Sequence, residues 1–173
     1  SKIKFFNKKY HERFVHIENI LDYTETEKML ENIKPDVLIN CLGMTNKKII
    51  NFNKAEEFIS INSLFPHRLQ KICADLGSRL IHFSTDCIFS GNKGFYSESD
   101  IPDPLDLYGR SKLLGELDYE NTLTIRKSVI GNELISKNGL LEWFLSQKKL
   151  VNGFKNVYFS GVTTLEFYKI LEK

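Results

Sequence analysis

Cysteine is scarce in this chain, and the few that occur form no recognisable pattern. Three are present, Cys41, Cys73 and Cys87, with no C-x-x-C pair among them. An odd number of thiols is typical of a reducing compartment, so we expect a cytoplasmic protein with free cysteines. The four histidines lack the spacing of metal ligands, which predicts no metal site and ordinary surface or strand histidines.

Charge of one sign and long apolar runs are missing as well. The net charge is +2 and the basic residues are scattered along the chain, which argues against nucleic acid as a partner. No apolar run approaches the roughly 18 residues that a membrane span needs, so no membrane contact is predicted. With 42% hydrophobic and 27% charged residues, the 173-residue chain has the composition of one globular domain with a sizeable core.

What is present is an alternation of strand-like and helix-like segments. Strands are predicted at 14–17, 37–43, 79–83, 122–127 and 157–159, and helices at 24–33, 53–76, 107–120, 140–147 and from about 163 onward. The apolar run at 37–43 is typical of a strand buried on both faces of a parallel sheet. The alternation predicts an α/β fold with a doubly wound, Rossmann-like parallel sheet, whose ligands bind at the carboxyl ends of the strands.

Local signals refine three of the predicted helices. A capping box at 24–27 predicts the start of the first helix. Pro66 predicts a kink or a second helix start within the long second segment. In the helix at 140–147, the apolar side chains of Trp143, Phe144 and Leu145 are predicted to face inward.

The stretch 84–116 carries the residues with the clearest chemistry. Thr85 directly follows an apolar strand, and after a loop rich in Gly, Asp, Ser and Pro, Tyr108 and Lys112 stand one helical turn apart. This spacing places a phenol and an ammonium on one helix face. We expect the ammonium to lower the pKa of Tyr108, so that the phenol can exchange a proton with an alcohol or carbonyl oxygen. A Tyr-x-x-x-Lys pair alone also fits a solvated helix face; the position of Thr85 at a strand end favours a site.

Two motifs within this stretch resemble a known family. They are FSTDCIFSG at 83–91 and YGRSKLLGE at 108–116, with YSE at 96–98 and PL at 104–105 between them. They resemble the extended short-chain dehydrogenase/reductases, and most of all the dTDP-4-dehydrorhamnose reductase type, whose pattern reads S-T-D-Y-V-F-x-G and then Y-G-x-[ST]-K-x-x-G-E. The resemblance implies NAD(P)H-dependent reduction of the 4-keto group of a nucleotide-activated 6-deoxy sugar, for surface polysaccharide biosynthesis.

The resemblance also implies roles at matching positions. Thr85 would hydrogen-bond the C4 oxygen of the sugar, Tyr108 would be the general acid, and Lys112 would bind the nicotinamide ribose and lower the pKa of Tyr108. Asp86 and Val129 match positions near the sugar. Strand-end capping is the alternative role for Thr85.

The cofactor implied is NADP(H) or NAD(H). Leu42, Gly43 and Met44, after the strand at 37–43, match the family segment that lines it, and Asn62 matches a nearby helix position; Tyr108 and Lys112 complete the implied cofactor site. Packing at the strand end and a helix break are the alternative readings of these positions.

Three departures from the family pattern shape the expectations. Cys87 replaces the usual Tyr, and Val129 stands where rhamnose-forming relatives often have Trp, so another 4-keto-6-deoxy sugar is equally compatible. No G-x-G-x-x-G occurs among the ten glycines. We therefore expect an internal portion of a longer reductase, lacking the Gly-rich βα unit, with a nucleotide-binding core at 1–133 and the start of a substrate-binding part at 134–173.

Several alternatives stay open at this stage. A non-catalytic binding or regulatory subunit with the same fold is one, and an epimerase or dehydratase of the same superfamily is another. The sequence leaves open the choice of NAD or NADP, the identity of the nucleotide and sugar, and whether the protein forms a homodimer.

Overall fold

The computed structural model describes residues 15–45, 54–133 and 139–172. Contacts divide the chain into two compact units, Ile17–Lys127 and a second unit of Ser128–Lys173 with Ser1–His16. The sequence-based boundary at 133 between a nucleotide-binding core and a substrate-binding part stays a prediction. Of the strand predicted at 14–17, Phe14 lies outside the described residues, and residues 15–17 form no strand.

A three-stranded parallel sheet forms the framework of the first unit. Its strands are β1 (Val37–Asn40), β2 (Arg79–Thr85) and β3 (Thr122–Lys127), in the order β1-β2-β3. Asn40 lies opposite His82, and Thr85 lies opposite Lys127, so the carboxyl ends of the strands meet at one edge. The predicted parallel α/β fold is therefore confirmed.

Helices connect these strands. They are α1 (Tyr23–Ile33), α2 (Ala55–Phe58), a π-helical segment (Ile59–Leu64), α3 (Phe65–Leu76), a 3₁₀ turn (Asp86–Ile88) and α4 (Leu107–Leu114). The first helix is capped by the Asp22 carboxylate, which accepts from the Thr24 and Glu25 N–H groups, and not by the capping box predicted at 24–27. The α4 helix ends at Leu114, earlier than predicted, and Gly115, which follows it, packs against the backbone of Asn62.

The predicted irregularity near Pro66 lies just before it. Helical structure runs through the π-helical segment into α3, where Pro66 occupies the first turn. Proline has no N–H to donate, so one backbone bond is missing at Pro66, next to the point where the geometry changes from π-helical to α-helical. Gly77 ends α3 in the left-handed region, with φ 70°.

The core lies on one face of the sheet. Side chains of α1 and α3 pack against β2 and against the segment between α4 and β3. The buried cluster is Leu30, Phe65, Leu69, Ile72, Cys73, Leu80 and Leu117. On the other face, Val37 and Ile39 of β1 are 49% and 44% exposed. The prediction that this strand is buried on both faces is wrong for the described part of the chain, where helices cover only the face that carries Leu80.

The second unit contains a short parallel pair of strands and two helices. β4 (Val129–Ile130) pairs with β5 (Val162–Thr163), and α5 (Leu140–Leu145) and α6 (Thr164–Leu171) are the helices. Thr163 caps α6 by accepting from the Glu166 N–H at 3.1 Å. The strand predicted at 157–159 is found instead at β5, where the backbone pairs with β4.

The α5 helix does not bury its apolar side chains as predicted. Trp143, Phe144 and Leu145 are 45%, 57% and 65% exposed. They are consecutive residues, each turned about 100° from the one before, so they point in different directions around the helix and cannot all face one side. Apolar composition alone was therefore a poor guide to burial in this segment.

Candidate active site

A cleft of about 260 Å³ opens at the carboxyl edge of the sheet, where the predicted site residues converge. Tyr108 and Lys112 both line it, which confirms that the one-turn spacing places them on one face of α4. The complete lining is Cys41, Leu42, Gly43, Thr45, Phe83, Ser84, Tyr108, Lys112 and Lys127.

A glycine and a carboxylate bring the start of α4 to this edge. The Asp106 side chain caps the helix by accepting from the Gly109 N–H at 2.7 Å. A Cβ on Gly109 would lie 2.3 Å from the Cys87 carbonyl oxygen, so only glycine lets the helix approach the turn after β2 this closely. Tyr108 is held beside Thr85 as a result.

Thr85 is buried at the end of β2 and makes two kinds of contact. Its hydroxyl accepts from the Cys87 N–H at 3.2 Å, which caps the 3₁₀ turn, and donates to the Asp86 carboxylate at 3.3 Å. It also lies close enough to the Tyr108 phenol to lower the pKa of that group. The capping role and the proximity to Tyr108 therefore occur together.

The pKa of Tyr108 moves in the direction opposite to the one predicted. Burial raises it, the Thr85 hydroxyl opposes that rise, and the negative groups Cys87, Asp86 and Asp106 raise it further. The prediction that Lys112 lowers this pKa is wrong, because the ammonium is directed at a backbone carbonyl and burial dominates. The phenol accordingly keeps its proton at neutral pH, as a proton donor must.

Lys112 is buried, and its amine is fixed at the sheet edge. Nζ donates to the Phe83 carbonyl oxygen at 2.6 Å. Burial lowers the pKa of Lys112 to about 8; Glu116 opposes this shift and Lys127 adds to it. A lysine in this setting changes its charge close to physiological pH.

His82 lies behind Lys112 and was not recognised as a site residue from the sequence. It is fully buried, with Nε2 3.5 Å from the Lys112 Nζ and Nδ1 3.0 Å from the Asn40 Nδ2. Burial and the neighbouring Lys112 lower the pKa of His82 to about 3, so the ring is neutral. Its polarity on the face of β2 that also carries Leu80 was the signal that could have singled it out.

The predicted cofactor segment divides into two parts. Leu42 and Gly43 line the cleft. The Met44 N–H donates to Asn62 Oδ1 at 2.7 Å, and Asn62 Nδ2 donates to the Met44 carbonyl oxygen at 3.0 Å and to the Ser111 hydroxyl at 3.0 Å. Asn62 is fully buried, so its amide ties the loop after β1 to α4. A direct cofactor contact by Met44 or Asn62 stays a prediction.

The remaining predicted residues lie outside the cleft lining. The exposed Asp86 accepts from Thr85, and the exposed Cys87 has a thiol pKa raised above its usual value by burial of the sulfur. Val129 begins β4 in the second unit. The assignment of Asp86 and Val129 to a sugar site stays a prediction.

A second charged group in the lining, Lys127, was also missed. It ends β3, and its Nζ lies 4.8 Å from the centre of the Phe83 ring. Burial lowers its pKa, and the Cys41 thiol opposes that shift. A lysine at the carboxyl end of a predicted strand could have been recognised from the sequence.

Behind the cleft, an ion pair fixes α4 to β3 and to the long loop. The Arg126 guanidinium donates to both Glu116 carboxylate oxygens, with its closest contact at 2.8 Å, and Ser84 Oγ donates to Glu116 at 2.6 Å. Arg126 also reaches the Glu98 carbonyl oxygen at 3.3 Å. The loop between β2 and α4 is thereby tied to the sheet.

The site fits the ribose end of a dinucleotide in its donor chemistry. An ammonium has three N–H donors, and Lys112 uses one on Phe83, which leaves donors for sugar hydroxyls. Gly43 carries no side chain near Lys112 Nζ, where a Cβ would lie 3.8 Å away, so the cleft floor stays open. Lys112, Tyr108 and Gly43 are the residues that would hold the group.

Two searches of the described ranges gave no further site. Across residues 15–45, 54–133 and 139–172, no helix has the length and apolar character to cross a bilayer. The same ranges contain no group of three or more His, Cys, Asp or Glu side chains arranged to hold a metal ion.

Comparison with known families identifies one that covers most of the chain. The model for the RmlD substrate binding domain matches residues 5–148. Among curated relatives, the chain is similar to the probable low-salt glycan biosynthesis reductase Agl14 of Haloferax volcanii. The two are 39% identical over 100 residues, which is 56% of this chain and 33% of that protein.

A second curated relative has a different kind of name. It is the methionine adenosyltransferase 2 subunit beta of Xenopus laevis, 35% identical over 98 residues, 57% of this chain and 29% of that protein. The matched part of the chain thus spans about a third of either relative.

Two solved structures extend the comparison to the fold. A hypothetical dTDP-4-dehydrorhamnose reductase from Sulfolobus tokodaii has a TM-score of 0.62 at 33% identity, over 69% of this chain and 46% of that one. The UDP-glucuronic acid 4-epimerase from Bacillus cereus, solved in complex with NAD, has a TM-score of 0.52 at 28% identity, over 62% of this chain and 33% of that one.

Proposed function

Because this chain belongs to the RmlD substrate binding domain family, we propose that it forms part of a nicotinamide-dependent reductase that acts on the 4-keto group of a nucleotide-activated 6-deoxy sugar. The observation that carries the proposal is the convergence of Tyr108 and Lys112 on one cleft, with the Thr85 hydroxyl near the phenol. The similarity to Agl14 and to the Sulfolobus reductase supports the reaction class.

Each of the three residues has a distinct task in this proposal. Thr85 orients the substrate carbonyl by donating a hydrogen bond to its oxygen. Tyr108, protonated at neutral pH because its pKa is raised, gives its proton to that oxygen as the alcohol forms. Lys112 holds ribose hydroxyls and places positive charge near the developing oxyanion. A bound nicotinamide would supply the hydride.

The same comparisons support the proposed cofactor and the proposed role. The NAD complex of the Bacillus cereus relative supports a nicotinamide dinucleotide, either NADP(H) or NAD(H). We propose a cytoplasmic location and a role in surface polysaccharide biosynthesis, in line with the glycan-biosynthesis name of the Haloferax relative.

The test is a reductase assay on the full-length protein. It should oxidise NADPH or NADH when given a nucleotide-linked 4-keto-6-deoxy sugar, and neither cofactor should be consumed with the matching 4-hydroxy sugar. Product analysis by NMR should show a new alcohol at C4. Failure to consume either cofactor with dTDP- and UDP-linked keto sugars would contradict the proposal.

A non-catalytic binding subunit is the second candidate, favoured by the similarity to the methionine adenosyltransferase 2 subunit beta. In that case the full-length protein should bind a dinucleotide, show no turnover on any nucleotide sugar, and co-purify with a partner in fixed stoichiometry. The similarity to the Bacillus cereus epimerase also makes an epimerase an alternative. An epimerase should interconvert two nucleotide sugars without net consumption of cofactor.

A further inference from the structure

Three buried polar side chains form a continuous chain from the end of β1 to the cleft. Asn40 Nδ2 lies 3.0 Å from His82 Nδ1, and His82 Nε2 lies 3.5 Å from Lys112 Nζ. All three side chains belong to buried residues. The reductase mechanism above gives Asn40 and His82 no task, although buried polar groups are costly unless they are paired.

The orientation of the Asn40 amide is fixed by the backbone. The Leu42 N–H donates to Asn40 Oδ1 at 3.0 Å, so the oxygen must face Leu42 and the NH₂ must face His82. Turning the amide over would set two donors against each other at Leu42. Asn40 is therefore a donor toward the imidazole.

The tautomer of His82 follows from this orientation. Nδ1 accepts from Asn40, and a neutral ring carries its single proton on the other nitrogen, Nε2. That N–H faces Lys112, whose ammonium has only donors. The 3.5 Å separation of the two nitrogens is longer than an ordinary N–H···N hydrogen bond, as expected where two donors meet.

We propose that His82 is a positioning residue for Lys112. The contact with Asn40 places the imidazole proton of His82 on Nε2. This N–H disfavours the ammonium form of Lys112 and keeps the amine directed at the Phe83 carbonyl. When Lys112 loses a proton, its lone pair can accept from His82 Nε2–H, so the imidazole stabilises the neutral amine. The proposal relies on the proposed function only for the task of Lys112, since the tautomer follows from the Asn40 contacts alone.

Other charges act on the two groups from the surrounding elements. Glu116, two residues beyond the end of α4, favours the ammonium of Lys112, whereas Lys127 of β3 disfavours it. His67 of α3 acts on His82 in the same direction as Lys112 does. Glu116 is already bound by Arg126 and Ser84, which weakens its stabilisation of the Lys112 ammonium. The effect of His82 on Lys112 is therefore not masked by Glu116.

The first test reads the tautomer without any variant. The imidazole ¹⁵N resonances of His82 in the full-length protein, free of cofactor and substrate, should show a protonated Nε2 and an unprotonated Nδ1 between pH 6 and 8. A ring protonated on Nδ1, or an imidazolium over this range, would overturn the proposal.

The second test compares two replacements of His82 through the pKa of Lys112, followed with ¹³C-labelled lysine. His82→Gln can accept from Asn40 and still present an N–H to Lys112, so it should leave this pKa within a few tenths of the wild-type value. His82→Met removes the donor while filling the space, and should raise the pKa of Lys112 by about 1. Equal values in His82→Met and wild type would overturn the proposal.

A matched control and a kinetic readout complete the design. His67→Gln replaces a histidine that contacts Tyr119 and the Leu114 carbonyl, and should leave the pKa of Lys112 unchanged. If the protein reduces keto sugars, the alkaline limb of its pH–rate profile should move up in His82→Met and not in His82→Gln. Absence of turnover together with the expected tautomer and pKa values would refute the proposed function and leave the role of His82 intact.

Discussion

The two edges of the parallel sheet carry clefts of similar size and different chemistry. The cleft at the amino edge is the larger, about 350 Å³ against about 260 Å³ at the carboxyl edge. Its lining is Gln70, Cys73, Ala74, Ser78, Leu80, Glu120, Asn121 and Thr122. Volume alone would therefore point to the wrong edge.

Polar groups at the amino edge join the segments that lead into neighbouring strands. Ser78 Oγ donates to the Pro35 carbonyl oxygen at 2.6 Å, and the Leu80 N–H donates to the Asn121 carbonyl oxygen at 3.0 Å. Gly77 and Asn121 adopt left-handed backbone conformations with φ 70° and 59°. Burial raises the pKa of the Cys73 thiol to about 11, which leaves it unreactive. This edge stabilises the chain.

At the carboxyl edge, by contrast, ionisable groups with shifted pKa values lie in the cleft lining or directly behind it. Lys112, His82 and Tyr108 all have shifted pKa values there, and two of them line the cleft. Shifted groups that converge on a concavity are characteristic of functional sites. The comparison indicates that the placement of titratable side chains, and not the volume of a cleft, distinguishes the candidate active site.

The most direct test of the difference between the two edges is to remove one phenol from each of them. Tyr108→Phe in the full-length protein should lower kcat about 10²- to 10⁴-fold, because the general acid is lost while the ring remains. Tyr119→Phe removes a phenol whose oxygen lies 3.0 Å from His67 Nδ1, in the turn before β3, and should leave kcat unchanged. Steady-state assays on both variants measure the difference.

Two outcomes would count against the assignment of edges. Turnover that survives in Tyr108→Phe would remove the phenol from the mechanism, and an equal loss in Tyr119→Phe would show that both edges contribute. Circular dichroism and thermal melts of both variants should match the wild type, since neither substitution alters the packing of a ring.

The three strands of the parallel sheet and the shared helix face of Tyr108 and Lys112 could be predicted from the sequence because each rests on a local signal. The strand 122–127 coincides with β3, and the one-turn spacing of Tyr108 and Lys112 needs only helix geometry. The carboxyl-edge position of Thr85 likewise follows from the general behaviour of parallel sheets.

What could not be predicted depends on contacts between distant parts of the chain. The link from Asn40 through His82 to Lys112 joins β1, β2 and α4, and no spacing rule connects these positions. The raised pKa of Tyr108 depends on burial, which outweighs the charge of a lysine one turn away. The exposure of Trp143 shows the same limit, since apolar composition does not say which face another element covers.

A smaller effect should follow from adding one methyl group at each edge. A Cβ on Gly115 would lie 1.9 Å from the Asn62 carbonyl oxygen, which is backbone and cannot swing away, whereas a Cβ on Gly77 meets nothing within 4 Å. Gly115→Ala should lower the free energy of unfolding by about 3 kcal/mol. Gly77→Ala should cost about 1 kcal/mol, from its left-handed backbone alone.

Chemical denaturation of the two variants in the full-length protein measures both costs. Gly115→Ala should also weaken dinucleotide binding, because the displaced Asn62 holds Met44 and Ser111. If Gly77→Ala proved the more damaging, or if Gly115→Ala left binding untouched, the division between a stabilising edge and a functional edge would fail.

The smallest expected effect is the pH dependence that His82 gives to stability. Its pKa is lowered from 6.5 to about 3 on folding, so the unfolded chain binds more protons between these values. Stability from this group is complete above about pH 6.5 and is lost as pH falls toward 3. Between pH 6.5 and 4.5 the loss should be about 2 kcal/mol. His82→Gln cannot titrate, so its stability should fall by that much less over the same interval.

The interval lies above the range in which the two carboxylates with lowered pKa values titrate. These are Asp100 and Asp103, in the exposed loop between β2 and α4. His67→Gln, which replaces a partly exposed histidine of α3, is the matched control for the loss of one imidazole. If the free energy of unfolding fell equally in His82→Gln and wild type from pH 6.5 to 4.5, the buried imidazole would not be held neutral. The pH sensitivity assigned to the carboxyl edge would then be wrong.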